Sequence, residues 1–304
     1  MANILISGGT GLVGSAIAQR LISEGHEVRI LSRNPKVSNN VKAFYWNVEK
    51  NEIDEAAFDG IEHVVHLAGS GIVDKRWTAS RKQDIIDSRV NSIKLITSII
   101  KKKNIQLKSF VGASAVGFYG MVTSEKIFTE KDGGSNDFLS DSCHQWENAY
   151  SEIQLLSLKH CVLRIGIVLS LNGGVLKKLL PIFKLGLGSA MGSGKQYVPW
   201  IHIEDLVEIF HESLFNKKYN GTYNAVAAEG ATNQYFSKQL SIALSKPFIL
   251  PKVPSFVMKL LLGERADVLL KGSQVSNNRI LETGFQFKFP QLLSALKNLV
   301  IKSK

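Results

Sequence analysis

The stretch Asn3-Ile-Leu-Ile-Ser-Gly8-Gly9-Thr10-Gly11-Leu12-Val13-Gly14, carried on to Glu27-Val-Arg-Ile-Leu-Ser32-Arg33, decides the fold. It reads as a short apolar strand, a turn with glycine at every third position, an amphipathic helix through Leu21 and Ile22, and a second strand. Gly8 permits a sharp turn off the strand, Gly11 lets backbone approach a pyrophosphate, and Gly14 lets the helix pack close to the sheet. Thr10, Leu12 and Val13 complete the turn, and the first helical N–H groups face the anion with the positive end of the helix dipole. Strand, turn, helix and strand stand in the order a dinucleotide site requires. At the end of the second strand a carboxylate would bind the ribose hydroxyl of NAD, whereas an arginine accommodates the extra phosphate of NADP. Here stand Ser32 and Arg33, with Lys36 close behind and no carboxylate before Glu49, so the expected cofactor is NADP(H).

Working outward, β and α patterns alternate as a doubly wound sheet demands. Residues 41–46, 63–67 and 109–113 make the third, fourth and fifth strands, and the fourth leads into Ala68-Gly69, where a strand end would meet the cofactor. His66, inside a strand, reads as a core residue. The polar residues 131–137 read as a flexible loop. Beyond Arg164 the chain leaves this fold: Gly166-Ile167-Val168 should pass the nicotinamide, Gly173-Gly174 opens a helix that Pro181 ends, and residues 186–194 form a mobile glycine-rich approach. Tyr197 and Trp200 then offer a stacking surface for a base or sugar, and His202 before Glu204-Asp205 reads as a helix cap. A strand over 222–226 and helices from Asn233 onward complete the smaller lobe. The expected class is α/β: a Rossmann-like doubly wound parallel sheet from residues 1–166 and 200–221, with a discontinuous α+β substrate lobe from 167–199 and 222–304.

With 304 residues, 44% of them hydrophobic and 21% charged, the chain is long enough for that pair of units. Cys143 and Cys161 lack metal-ligand or CxxC spacing, which predicts free thiols in a reducing compartment and no metal site. The N-terminal apolar run becomes the glycine turn rather than a leader, and no apolar run nears the ~20 residues that span a bilayer. A cytoplasmic protein without membrane contact is the expectation. The formal net charge of +11 raises nucleic acid as a partner. No recognition motif accompanies it, and Lys101-Lys102-Lys103 falls where a helix should end, so the charge points to anionic small molecules instead.

Several motifs together carry a resemblance: the glycine turn, Leu67-Ala68-Gly69, Ser114 before Tyr119-Gly120, Leu163-Arg164, and Trp200-Ile201-His202-Ile203-Glu204-Asp205-Leu206. They resemble the extended short-chain dehydrogenase/reductase superfamily. Asp74-Lys75-Arg76-Trp77-Thr78, Trp146-Glu147, residues 183–188 and Leu261-Leu262-Gly263-Glu264 resemble its atypical subgroup of nucleoside-diphosphate-sugar epimerase type, nearly end to end. The resemblance implies an NADP(H)-dependent epimerase or oxidoreductase acting on a nucleotide sugar or other small polar carbonyl or alcohol, with a homodimer as the analogous assembly.

That superfamily normally carries a Tyr-x-x-x-Lys pair on one helix face, the lysine lowering the tyrosine pKa and the tyrosine moving the substrate proton. In Asp141-Ser142-Cys143-His144-Gln145-Trp146-Glu147 the tyrosine position holds Ser142 or Cys143 and the lysine position Trp146 or Glu147. As substitutes we expect Ser114, just beyond the fifth strand, and Tyr119 to hold the substrate oxygen, with Glu147 as acid or base tuned upward by burial. Arg76 and Lys75 would contact phosphate, and Arg164, Tyr197 and Trp200 the substrate. Ser70 stands where the subgroup has a carboxylate, and Ser88-Arg89 where a cofactor-facing asparagine belongs. Loss of the pair equally admits a catalytically silent NADP-binding protein that regulates a partner or senses redox state.

Overall fold

Ile4, Leu5 and Ile6 are wholly buried because their strand runs up the middle of a parallel sheet covered on both faces. The computed structural model describes residues 1–35 and 41–301; Lys36 lies outside them. The first half holds strands β1 (Asn3–Ser7), β2 (Glu27–Ser32), β3 (Lys42–Asn47), β4 (Glu52–Ile53), β5 (His63–His66), β6 (Ser109–Ala115) and β7 (Ile127–Phe128), with helices α1 (Leu12–Ser23), α2 (Ala79–Lys102) and α3 (Phe138–Asn148). The second half adds β8 (His160–Ile165), β9 (Ile167–Leu169), β10 (Trp200–His202), β11 (Gly221–Ala225) and β12 (Gln274–Val275). Its helices are α4 (Ser151–Gln154), α5 (Gly174–Lys184), α6 (Ile203–Phe215), α7 (Asn233–Ala243), α8 (Ser255–Leu262), α9 (Asp267–Leu270), α10 (Asn278–Glu282) and α11 (Leu292–Ile301).

Eight strands form one sheet in the order β11-β8-β6-β5-β1-β2-β3-β4, parallel except for the β3–β4 pair. β1 pairs with both β2 and β5, so the sheet grows in opposite directions from it and the switch point lies at the carboxyl end of β1. The Rossmann-like α/β class is as expected. A second apolar cluster gathers Leu176, Leu180 and Phe183 of α5 with Phe236, Leu240, Leu292 and Leu296 of α7 and α11, around Trp200. No helix among the described residues is long and apolar enough to cross a membrane. Cys143 and Cys161 are free and buried.

Four expectations need correction. β11 pairs with β8 through Thr222 and Val162, so the strand assigned to the smaller lobe is the edge of the main sheet. α5 continues through Pro181 to Lys184, because Leu176, Leu180 and Phe183 keep one buried stripe and the proline stands on the exposed side, forfeiting a single bond. The glycine-rich approach is tied down: Gly192 N–H donates to Val253 O at 2.8 Å and Val253 N–H to Ala190 O at 2.8 Å. The 131–137 loop is likewise pinned, with Asp132 accepting from the Thr129 backbone and hydroxyl and Asp137 from Met121 and Ser135.

Candidate active site

The glycine turn is built as its spacing predicts. Gly8 has φ +74°, and a Cβ there would stand 2.9 Å from the Leu67 carbonyl carbon, which fixes the turn against the end of β5. At Gly14 a Cβ would lie 2.3 Å from Gly8 O, so helix and turn could not close with any side chain present. Gly11 is the N-cap of α1, and no side chain caps that terminus. Thr10 and Gly11 are exposed, Leu12 and Val13 half-buried. The first helical N–H groups therefore face the switch point without a side-chain partner, the arrangement a pyrophosphate requires; these residues fit a dinucleotide.

Ser32 closes its own turn, its hydroxyl donating to Asn34 O at 2.9 Å while accepting from Asn34 N–H at 3.1 Å. Arg33 is exposed, with no partner among the described residues. At the β5 end Ala68 is half-buried and Gly69 open. The loop after it is latched from two sides: Trp77 packs on Phe138 at 4.9 Å, and from the C-terminal part Arg265 Nη1 donates to Val73 O at 2.9 Å while Glu264 pairs with Lys82 at 2.6 Å. Arg76 stays exposed beside Gly263.

Next along the sheet, β6 runs two residues further than predicted, so Ser114 lies within it, in register with Arg164 of β8. α3 sets Cys143 and Glu147 one turn apart, and Glu147 comes down on both strand ends. Ser114 Oγ donates to Glu147 Oε1 at 2.6 Å, Arg164 Nε to the same oxygen at 2.9 Å, and Arg164 Nη2 to Glu147 Oε2 at 2.9 Å. Arg164 Nη1 donates to the Tyr119 oxygen at 3.0 Å, and Tyr119 donates to Asn224 Oδ1 at 2.6 Å. The guanidinium also lies 3.3 Å from the Phe118 ring centroid. Burial works against the Arg164 charge, but hydrogen bonds and charge from Glu147 outweigh it and raise its pKa.

Ser114, Tyr119, Glu147 and Arg164 are thus brought together, with Arg164 and Tyr119 placed differently from the expectation. Arg164 is the internal partner of Glu147 rather than a free substrate contact. Glu147 is not a carboxyl buried alone, since both of its oxygens are engaged. Tyr119 is 2% exposed with its hydroxyl held between Asn224 and Arg164, and burial raises its pKa, so it supports the cluster from below. On α3, Cys143 and Glu147 face the β6 end. Gly117 packs toward Cys143 Sγ, whereas Ser142 donates to its own helix and Trp146 turns to α2. Burial pushes the Cys143 thiol up to about 11.

Trp200 is not in the cluster. It is 1% exposed, its indole N–H donating to Glu229 O at 3.0 Å, because α5, α7 and α11 converge on it. Tyr197 is half-buried, its N–H bonded to Gly272 O, and Ile167 packs in β9 against the second apolar cluster. His202 caps α6, accepting from Glu204 N–H, and His66 is buried with Ser92 and Tyr150 as partners, both as predicted. Asn224 was missed, and Arg89 was named only as standing where a cofactor-facing asparagine belongs. Arg89 had a visible signal, since it shares a helical stripe with Ile85, Ser92, Ile93 and Ile96, an arginine on a core face.

A glycine turn at the switch point of a parallel sheet, with a hydroxyl, carboxylate and guanidinium at the next strand ends, defines a dinucleotide-binding α/β protein of reductase type. The chain belongs to the NAD dependent epimerase/dehydratase family, whose family model matches residues 4–225. Residues 253–299 match a domain of unknown function, DUF1731. The mouse epimerase family protein SDR39U1 is 35% identical over 300 residues, covering 98% of this chain and 99% of its own. The chloroplastic SDR39U1 homolog of Arabidopsis thaliana is 34% identical, covering 98% and 86%. The crystal structure of human SDR39U1 isoform 2 with NADPH superposes with a TM-score of 0.87 at 32% identity, covering 98% of this chain and 99% of that one. The resemblance drawn from the motifs is borne out.

Proposed function

We propose that the protein is an NADP(H)-dependent epimerase or oxidoreductase acting on a nucleotide sugar or another small polar carbonyl or alcohol, through a site without the Tyr-x-x-x-Lys pair. The observation that carries this is the adjacency of two built features along the sheet: an uncapped glycine turn at β1 and the Ser114–Glu147 hydrogen bond at β6. The NADPH in the human relative supports the choice of cofactor. Residues 8–14 would hold the pyrophosphate, Ser32 and Arg33 the ribose phosphate, and Ala68, Gly69, Arg76 and Ile167 the remainder. When bound, the nicotinamide supplies or accepts hydride. The protein's own part is proton handling. Because Ser114 Oγ–H points at Glu147 Oε1, its lone pairs are left to accept from a substrate hydroxyl. As the substrate O–H proton passes to Oγ, the Ser114 proton passes to Glu147, and Arg164 keeps that carboxylate in place.

The second reading, a silent NADP-binding regulator or redox sensor, draws on the same cluster, since Ser114 is 2% exposed and the Arg164 side chain 6%. Tyr197 remains our candidate for substrate stacking, the cytoplasm our placement given two free buried thiols, and a homodimer our expected assembly. The test incubates protein loaded with NADP⁺ or NADPH with a panel of sugar nucleotides, following NADPH absorbance for net oxidation or reduction and chromatography of the sugar nucleotides for redox-neutral epimerisation, in the wild type and in Ser114→Ala and Glu147→Gln. Turnover that both variants lose supports the relay, turnover that both retain overturns it, and tight NADPH binding without turnover across the panel favours the silent reading.

A further inference from the structure

Large apolar side chains stand in water on adjoining segments of the smaller lobe. Leu260 is 83% exposed, Ile249 82%, Leu185 75%, Phe256 72% and Leu261 71%. The stretches that carry them run side by side: Met191 and Val253 form a parallel bridge, Ser189 Oγ donates to Pro251 O, and a Cβ on Gly186 would lie 3.6 Å from the Pro247 ring. Leu185 and Leu187, just past α5, therefore lie alongside the segment of Ile249, and α8 follows directly after Pro254. Within α8 only Met258 is buried, while Phe256 and Leu260, one helical turn apart, project outward. A single exposed leucine is ordinary, but this many on abutting segments make a patch that calls for a partner.

The charge around the patch has one sign. Residues 173–195 and 242–262, which contain it, hold seven lysines and neither aspartate nor glutamate. Lys184, Lys246 and Lys252 are exposed, with no carboxylate partner among the described residues; Lys259 lies 3.8 Å from Asp267, which Lys271 already holds at 2.9 Å. That combination selects the partner. Interfaces between proteins are depleted in lysine, and in a two-fold contact the patch would meet itself, with no carboxylate to receive its ammonium groups. An anionic bilayer accommodates both features, because projecting apolar side chains enter the acyl boundary while flexible lysine stems keep their charge among the headgroups. We propose that this face, α8 with residues 185–187 and 247–250, docks on the surface of an anionic phospholipid bilayer. Run length, on which the expectation of no membrane contact rests, bears on spanning and not on surface contact.

The test floats the full-length protein with vesicles of phosphatidylcholine mixed with phosphatidylserine, and of phosphatidylcholine alone, at about 0.15 M salt, where the screening length is about 8 Å. Wild type should bind the mixed vesicles and bind pure phosphatidylcholine far more weakly. Phe256→Ser with Leu260→Ser should weaken binding at least about tenfold, and Lys184→Gln with Lys246→Gln about thirtyfold, each lysine near an anionic surface being worth about fivefold. Ile249→Ser, in the neighbouring segment, gives a second measure of the apolar contribution. Thermal unfolding shows that each variant is folded, since every change is at an exposed side chain. Binding that survives all the apolar substitutions would reduce the contact to net charge and overturn the proposal, as would a wild type that ignores both kinds of vesicle. In that last case sedimentation velocity identifies the occupant: a dimer that Phe256→Ser with Leu260→Ser dissociates would assign the face to a second copy of the chain, and a monomer would assign it to another protein.

Discussion

Glu147 and Arg164 meet over the ends of β6 and β8 as a two-point ion pair, Nε to Oε1 and Nη2 to Oε2, each at 2.9 Å, with side chains 14% and 6% exposed. The pair joins α3 to β8 and holds the proton acceptor proposed for Ser114, so its removal affects both stability and chemistry.

Glu147→Ala leaves the Arg164 charge buried without its carboxylate and is expected to cost about 3–5 kcal/mol. Replacing both, as Glu147→Leu with Arg164→Met, should cost well under the sum of the single changes, because no charge is stranded. Urea unfolding of wild type, Glu147→Leu, Arg164→Met and the double variant measures this. Additive losses would mean the two groups are not coupled.

Gly14→Ala forces a methyl to within 2.3 Å of Gly8 O and should abolish the rise in Tm on adding NADPH. Gly8→Ala adds the strain of a left-handed backbone, about 1–2 kcal/mol in an otherwise folded protein. Thermal unfolding with and without NADPH distinguishes a lost binding turn from a lost fold.

Arg33→Ala should weaken NADPH on the order of tenfold to a hundredfold and leave NADH nearly unchanged, since only the 2′-phosphate is addressed. Equal weakening of both nucleotides would assign Arg33 to another part of the cofactor.

Burial holds His66 down at about 3 and His63 at about 4, against an ordinary 6.5. Folding with neutral imidazoles contributes full stability above pH 6.5, and the contribution is lost as pH falls toward the folded values, because the unfolded chain takes up protons first. At pH 5 the slope approaches about 2.7 kcal/mol per pH unit for the two groups together. Urea midpoints at pH 7, 6 and 5 should fall accordingly, with His66→Gln flattening the curve. Superimposable midpoints would contradict it.

What was legible in the chain is what neighbours in sequence decide. The glycine turn could be read because backbone conformation and close approach at Gly8 and Gly14 are local demands that only glycine meets. His202 could be read because a cap and its helix are contiguous. The alternation of strand and helix carried the succession of the strands as far as β6, apart from the short β4.

Partnership across the fold was not legible. Ser114 meets Arg164 because β6 and β8 become neighbours, and Glu147 joins them because α3 crosses there; no spacing encodes either event. An aromatic at a re-entry point looks alike whether it faces a ligand or three helices, so Trp200 required its packing to be known. β11 joined the main sheet because β8 offered it a free edge, and α5 ran on past Pro181 because its buried stripe outweighed one missing hydrogen bond. The residue types, the glycine turn and its cofactor preference were determined by the sequence. Only the tertiary structure decided which charges neutralise one another, because desolvation and pairing depend on what lies within a few ångströms, whatever its distance along the chain.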